Sequence, residues 1–199
     1  MLQVLMNILF ILSPTFGFVP QITRKNILYK PFLSLLNILT ALDKTFDYFY
    51  KKYDRTIFYQ NITTILLHSY LIYHNKHKQY NRHYIEESHV RPIILKCSGF
   101  ILFLVFLQLC SFGFLFTLIA LFMDVGTTYA HFLVYKEDVD KPIELFIVWV
   151  IGDALRVIFN IFIYKTPILY SIAAIIQLVF DLLTMGSQGK LKMDVFYNY

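Results

Sequence analysis

The sequence predicts an all-α, polytopic membrane protein with seven transmembrane helices. Three observations carry that expectation: the share of apolar residues, the length of the apolar runs, and the confinement of most charge to the segments between them. Of 199 residues 57% are hydrophobic and 18% aromatic, whereas 16% are charged, well below the quarter usual in a soluble domain. A helix crossing a hydrocarbon core about 30 Å thick needs about 20 mostly apolar residues, and runs of that size recur along the chain.

Seven runs qualify, at 1–19, 32–50, 57–73, 93–109, 114–134, 143–163 and 168–185. The first reads as a retained span and not a signal peptide, because no Lys or Arg precedes it and no convincing small-residue cleavage site follows. Between Ile93 and Val134 only "SFGF" at 111–114 offers a turn, so that stretch divides into two spans. The segment "HNKHKQYNRHYIEESHVR", 74–91, is the one long polar stretch and separates three spans from four.

Loop charge sets the orientation. One side collects eleven basic residues (Arg24, Lys25, Lys30, Lys76, Lys78, Arg82, Arg91, Lys136, Lys141, Lys190 and Lys192), the other four (Lys51, Lys52, Arg55 and Lys165). The N-terminus is therefore expected in the lumen or outside and the C-terminus in the cytosol. The net charge of +5 belongs to these loops, where it reports topology and anionic headgroups and not a nucleic-acid partner. Cys97 and Cys110 share one apolar segment without metal-ligand spacing, so they are expected to pack, with no disulfide and no zinc site.

The run "SPTFGFVPQ", 13–21, places Pro14, Gly17 and Pro20 where the first span should end. A proline lacks the N–H of the helix ladder and clashes with the preceding turn. Irregular backbone at membrane depth is tolerated where protein buries it or where it lines a wet cavity, so the prolines read as a hinge or as a kink frozen by packing.

This run, followed by a basic loop and "KPFLSLLNIL", resembles the first repeat of the PQ-loop membrane protein family; "VWVIGDALRVIFNIF", "KTP" and "IIQLVFDLLTMGSQ" resemble the last two helices of the second. Within that family the chain resembles the solute carrier family 66, member 2-like branch. The resemblance covers nearly the whole chain and is most specific at Pro20 with Gln21, Trp149 with Gly152 and Asp153, and Gln177 with Asp181. It implies two triple-helix bundles around a linker helix (3+1+3): a first bundle at 1–73, a cytosolic linker at 74–92, the linker helix at 93–112, and a second bundle with a short cytosolic tail at 113–199. It also implies Golgi or endosomal membranes, lipid scrambling, and a hinge at Pro14, Gly17, Pro20 and Gln21. The second proline-glutamine pair should fall at 127 and 128, where Thr127 and Thr128 stand. The first-repeat counterpart of Asp153 falls at Ala41, with Asp43 nearby, while the basic residue one turn on is kept in both halves as Lys44 and Arg156.

Charges inside the spans are Asp43, Lys44, Asp124, Asp153, Arg156 and Asp181, with Asp47 and Glu144 nearer the ends. Each costs about 2.5–3.5 kcal/mol at a helix centre on insertion scales, so they are functional candidates by default. Asp153 and Arg156, three apart, share a helix face and can either bridge one another or serve a cargo. Asp181, with Gln177 one turn before it and no basic neighbour on its helix, is the better proton-binding or cavity-lining carboxylate. Asp124 with Thr127 and Thr128 reads as a patch satisfied within its own helix, and His68 and His131 as packed histidines. The glycosylation pattern "NIT" at 61–63 lies inside a span and is discounted.

No phosphate-binding glycine loop, nucleophile elbow or paired catalytic carboxylates occur in the sequence, so no enzyme, cofactor or metal is expected. Three function classes remain. The leading one is lipid handling through a polar groove lined by Asp153, Arg156, Asp181, Gln177, Lys44 and Asp43, with membrane lipids as partners. The second is proton-coupled transport of a small solute, amino acid or cystine-like; the third is a cargo receptor or structural membrane component. The oligomeric state stays open.

Overall fold

The computed structural model describes residues 2–16, 18, 31–80, 90–136, 143–164 and 166–197, of which 2, 16, 74–80, 90–94, 143 and 190–197 contribute backbone only. The described residues form seven α-helices and no strand: α1 Leu2–Phe16, α2 Pro31–Lys51, α3 Arg55–Tyr80, α4 Val90–Leu109, α5 Phe116–Tyr135, α6 Ile143–Ile158 and α7 Ile168–Tyr197. Each apolar run contains one helix. Two helices outlast their runs: α3 continues seven residues into the polar linker, and α7 carries the C-terminal tail as helix to Tyr197. Gly186 and Gly189 in α7 each cost about 1 kcal/mol relative to alanine without interrupting the hydrogen-bond ladder.

Local chemistry sets the boundaries. Pro31 opens α2 at a position whose N–H has no helical acceptor. Lys52 ends that helix in the left-handed region (φ 52°), its N–H still bonded to the Tyr48 carbonyl. Asp54 then caps α3: its carboxylate accepts the Thr56 backbone N–H at 2.8 Å and also the Thr56 hydroxyl. The expected turn at 111–114 is present, with Ser111 at φ 60° and a 3₁₀ turn at Gly113–Leu115 leading into α5. A π-helical turn, Phe159–Ile163, prolongs α6.

Three segments are long and apolar enough to cross a membrane, Gly113–Tyr135, Glu144–Ile163 and Ile168–Gly189; Gln3–Thr15 and Leu95–Leu109 are shorter apolar helices. The burial pattern agrees. Leu109, Phe162 and Leu102 are 79%, 78% and 69% exposed, whereas Asp47 and Gln188 are 0% exposed. An outer surface of large apolar side chains around a polar interior is the arrangement that a hydrocarbon solvent demands.

Six helices close into a ring in the order α1–α3–α2–α5–α7–α6, with α6 returning to α1. The order repeats, since the first three helices are arranged first–third–second and so are the last three. Helix α4 stands outside, packed on α2, where Leu104 and Leu107 meet Phe116, Phe46 and Ile119. At the end of the ring where α2 finishes and α3 begins, Phe10, Ile57, Phe159 and Tyr164 form one apolar cluster. At the opposite end Leu33, Leu67, Leu71, Tyr135, Leu145, Phe146 and Trp149 form another.

Pro14 lies within α1 and frees the Phe10 carbonyl four residues back. The freed oxygen accepts from the Ser13 hydroxyl at 2.8 Å and from Gln60 Nε2 of α3 at 2.9 Å. Gln60 also donates to Ser13 Oγ at 3.0 Å, so the break is stitched to a neighbouring helix. Replacing Gln60 by Leu removes the cross-helix donor; we expect about 1 kcal/mol of destabilisation, read as a Tm lowered by a few degrees in detergent, with little further loss when Ser13→Ala is added to a protein already lacking Gln60.

A polar cavity inside the helix ring as the candidate functional site

The ring surrounds a partly open cavity of about 90 Å³. Five of the six ring helices contribute residues spaced three or four apart, the spacing that keeps side chains on one helix face. Helix α2 supplies Asn37, Thr40, Ala41 and Lys44; α3 supplies Gln60, Asn61, Thr64 and His68. From α5 come Asp124, Thr127, Thr128 and His131, from α6 Val148, Trp149, Gly152, Asp153 and Arg156, and from α7 Gln177 and Asp181. Ser13, Pro14 and Phe18 close the wall on the α1 side. At Gly152 a Cβ would lie 3.6 Å from the Ser13 carbonyl oxygen, so α6 comes near α1 beside the proline break.

Of the residues singled out by sequence, Lys44, Asp153, Arg156, Gln177, Asp181 and Pro14 line this cavity. Asp43 does not. It sits one position round α2 from Lys44, fully buried, and neither carboxyl oxygen has a hydrogen-bond partner among the described residues. Gly17, Pro20 and Gln21 lie outside the described residues.

Three sets of polar contacts organise the interior. Lys44 Nζ of α2 meets Asp124 Oδ2 of α5 at 2.5 Å, both side chains nearly inaccessible. Asp124 is thus held across helices, and its neighbours behave differently from each other: the Thr128 hydroxyl bonds the Asp124 carbonyl at 2.8 Å, as a local patch would, whereas Thr127 Oγ1 has no partner. The reading of this patch as satisfied within its own helix is therefore corrected, because the carboxylate has a cation 80 residues away in sequence. Second, Arg156 Nη1 donates to Gln177 Oε1 of α7 at 2.8 Å. The Asp153–Arg156 bridge that their spacing permits is not among the ion pairs of the described residues; the guanidinium reaches to the next helix instead. Third, Asp153 of α6 and Asp181 of α7 stand on neighbouring helices and face the same cavity, close enough for their carboxyls to interact.

Towards the Tyr135 end the wall becomes aromatic. His68 Nδ1 lies 3.3 Å from Ser34 Oγ, and Phe18 meets the His68 ring at 4.7 Å between centroids. His131 lies 3.4 Å from Asn37 Nδ2 and 5.4 Å from the Trp149 ring. Both histidines are packed, as expected, and both also face the cavity. Asn61, the first residue of the glycosylation pattern, is buried in α3 with Nδ2 unpartnered. The described residues hold no cluster of His, Cys, Asp or Glu suited to a metal ion.

Sequence reasoning passed over Gln60, discounted Asn61, and set aside His68, Asp124 and His131 as packed or locally satisfied; all five line the cavity. The available signal was their stripe pattern, 60/61–64–68 on α3 and 124–127/128–131 on α5, polar positions recurring at helical period within otherwise apolar runs. No family model, curated protein sequence or solved structure matches the chain.

Removing one member of a buried ion pair leaves the other charge uncompensated, which costs about 3–5 kcal/mol, whereas replacing both by apolar groups is often neutral. We expect Lys44→Met and Asp124→Leu each to lower thermal stability in detergent by several degrees, and the double variant to recover most of the loss.

Proposed function

We propose that the chain is a seven-span membrane transporter in which two three-helix units, α1–α3 and α5–α7, alternate access to the central cavity for a small polar solute. The observation that carries this reading is that Asp153, Asp181 and Arg156 line one cavity inside a ring whose successive helices all touch. A phospholipid headgroup crossing with its tails in the bilayer needs a groove open sideways, and a volume of about 90 Å³ suits several waters or a small solute instead.

Two three-helix units with one further helix, α4, between them in sequence are what the PQ-loop resemblance implies (3+1+3), and the arrangement supports that reading. Intramembrane charges in such an arrangement mark a substrate or proton path. Asp153 and Asp181 can carry a proton or hold an ammonium group, and Arg156 presents a fork of donors matched to a carboxylate. Three residues separate Asp153 from Arg156 on one face of α6, so the cationic and anionic holders lie about one helical turn apart. A small zwitterion, amino acid-like, fits that spacing; Asn61 Nδ2 and Thr127 Oγ1 remain to hydrogen-bond its neutral atoms or water. The basic-residue count supports a cytosolic Tyr135 end, and the branch resemblance supports a Golgi or endosomal membrane.

In proteoliposomes carrying an imposed pH gradient, we expect uptake of radiolabelled amino acids that Asp181→Asn lowers at least tenfold, and a raised half-saturation concentration for Arg156→Lys. Wild-type protein that shows no such uptake, yet speeds exposure of fluorescent lipid beyond that of empty liposomes, would return the function to lipid translocation.

A further inference from the structure

We propose that Asp47 and Tyr170 form a latch between the two three-helix units at the Lys52 end of the ring, so that parting it eases entry to the cavity from the side that the basic-residue count assigns to the lumen or exterior. The inference rests on the alternating-access reading above, though its test needs no transported solute.

Asp47 is in the last turns of α2, where the sequence suggests a charge close to the span end and within reach of water. It is instead 0% exposed. Its two oxygens are used by different helices: Oδ1 accepts from the Thr117 hydroxyl of α5 at 2.9 Å, and Oδ2 accepts from the Tyr170 phenol of α7 at 2.6 Å. Lys51, one turn on, lies 3.3 Å from Oδ1 and also donates to Thr117. Both strong acceptor contacts of this carboxylate therefore cross from the first three-helix unit to the second.

Tyr170 is held in turn by the α2–α3 loop. The Tyr53 hydroxyl lies 3.2 Å from the Tyr170 hydroxyl and donates to the Lys44 carbonyl at 3.0 Å. Burial pushes the Tyr53 phenol above its ordinary value, which keeps its proton in place. Lys44 Nζ sits 5.2 Å from the centroid of the Tyr170 ring, so the latch lies against the cavity wall, next to the Lys44–Asp124 pair. Towards the opposite end Trp149 packs against Tyr135, Phe146 and His131. The Asp47–Tyr170 contact belongs to the Lys52 end alone, so its loss acts there.

The test is cysteine accessibility in sealed proteoliposomes, using full-length protein in which Cys97 and Cys110 are replaced. A single probe, Thr127→Cys, reports entry to the cavity, and a separate Lys52→Cys protein identifies which side a membrane-impermeant thiol reagent reaches the Lys52 end from. A hydrogen bond to a charged group contributes about 1.5–3 kcal/mol, equivalent to about tenfold or more in an opening equilibrium. We expect Tyr170→Phe, which deletes one oxygen, to raise the labelling rate of the probe from the Lys52 side about tenfold and leave the rate from the other side unchanged or lower. Thr117→Val should act in the same direction by a smaller factor, and supplies the answer if Tyr170→Phe is poorly folded. Unchanged rates in both variants, or rates raised equally from the two sides, overturn the latch. Asymmetric labelling in a protein that transports no solute would retain the latch and reject the solute reading alone.

Discussion

A charge facing hydrocarbon costs several kcal/mol, and the placement of helices in this protein follows from that cost. Asp47, Lys44, Asp124, Arg156, Asp153 and Asp181 belong to four helices, α2, α5, α6 and α7, and all turn inward. Closing the ring is the solution that gives these helices a polar face to share and lets their large apolar side chains point outward. It also explains why α2 and α3 are less apolar than the three clear spans: α3 brings Gln60, Asn61, Thr64 and His68 to the wall, and one of these repairs the backbone bond that Pro14 removes from α1. A proline in one helix and a glutamine in another are then a single structural unit.

The two halves of the ring share a neighbour order but not a chemistry. Lys44 and Arg156 both stand on the second helix of their units, yet Lys44 pairs with a carboxylate of the other unit whereas Arg156 donates to the neutral amide of Gln177. The first cation therefore contributes to cohesion between the units, and the second faces the cavity. Thr127 and Thr128 lie within a continuous α5. The break and its repair belong to the first unit, and Asp153 and Asp181 to the second.

Helix positions were readable from the sequence because length and hydropathy are local properties; even the tight turn at 111–114 announced itself as the one interruption in 42 residues. Lys44, Asp153, Arg156, Gln177 and Asp181 were readable as inward-facing for an energetic reason, the cost of exposing them. Partners were not. Asp124 reads as satisfied by adjacent threonines since nothing within its own helix indicates Lys44, and the spacing of Asp153 and Arg156, which leaves a bridge or a cargo role open, gives no sign of the longer reach to Gln177. Asp47 shows the same limit in another form, for distance from a span end says little about burial when Tyr170 and Thr117 cover it. Pairings across a ring depend on which helices become neighbours, and that information lies in contacts between segments far apart in the chain.

Helix α7 runs unbroken for 30 residues, about 45 Å at 1.5 Å per residue, whereas its apolar portion ends at Gly189. The same helix therefore forms part of the cavity wall at Asp181 and, beyond the apolar stretch, a rod aligned with that wall. A helical protein domain joined in register to the end of this rod would inherit its direction, serving as a rigid marker for particle alignment in electron cryomicroscopy of a molecule otherwise almost hidden within its detergent belt.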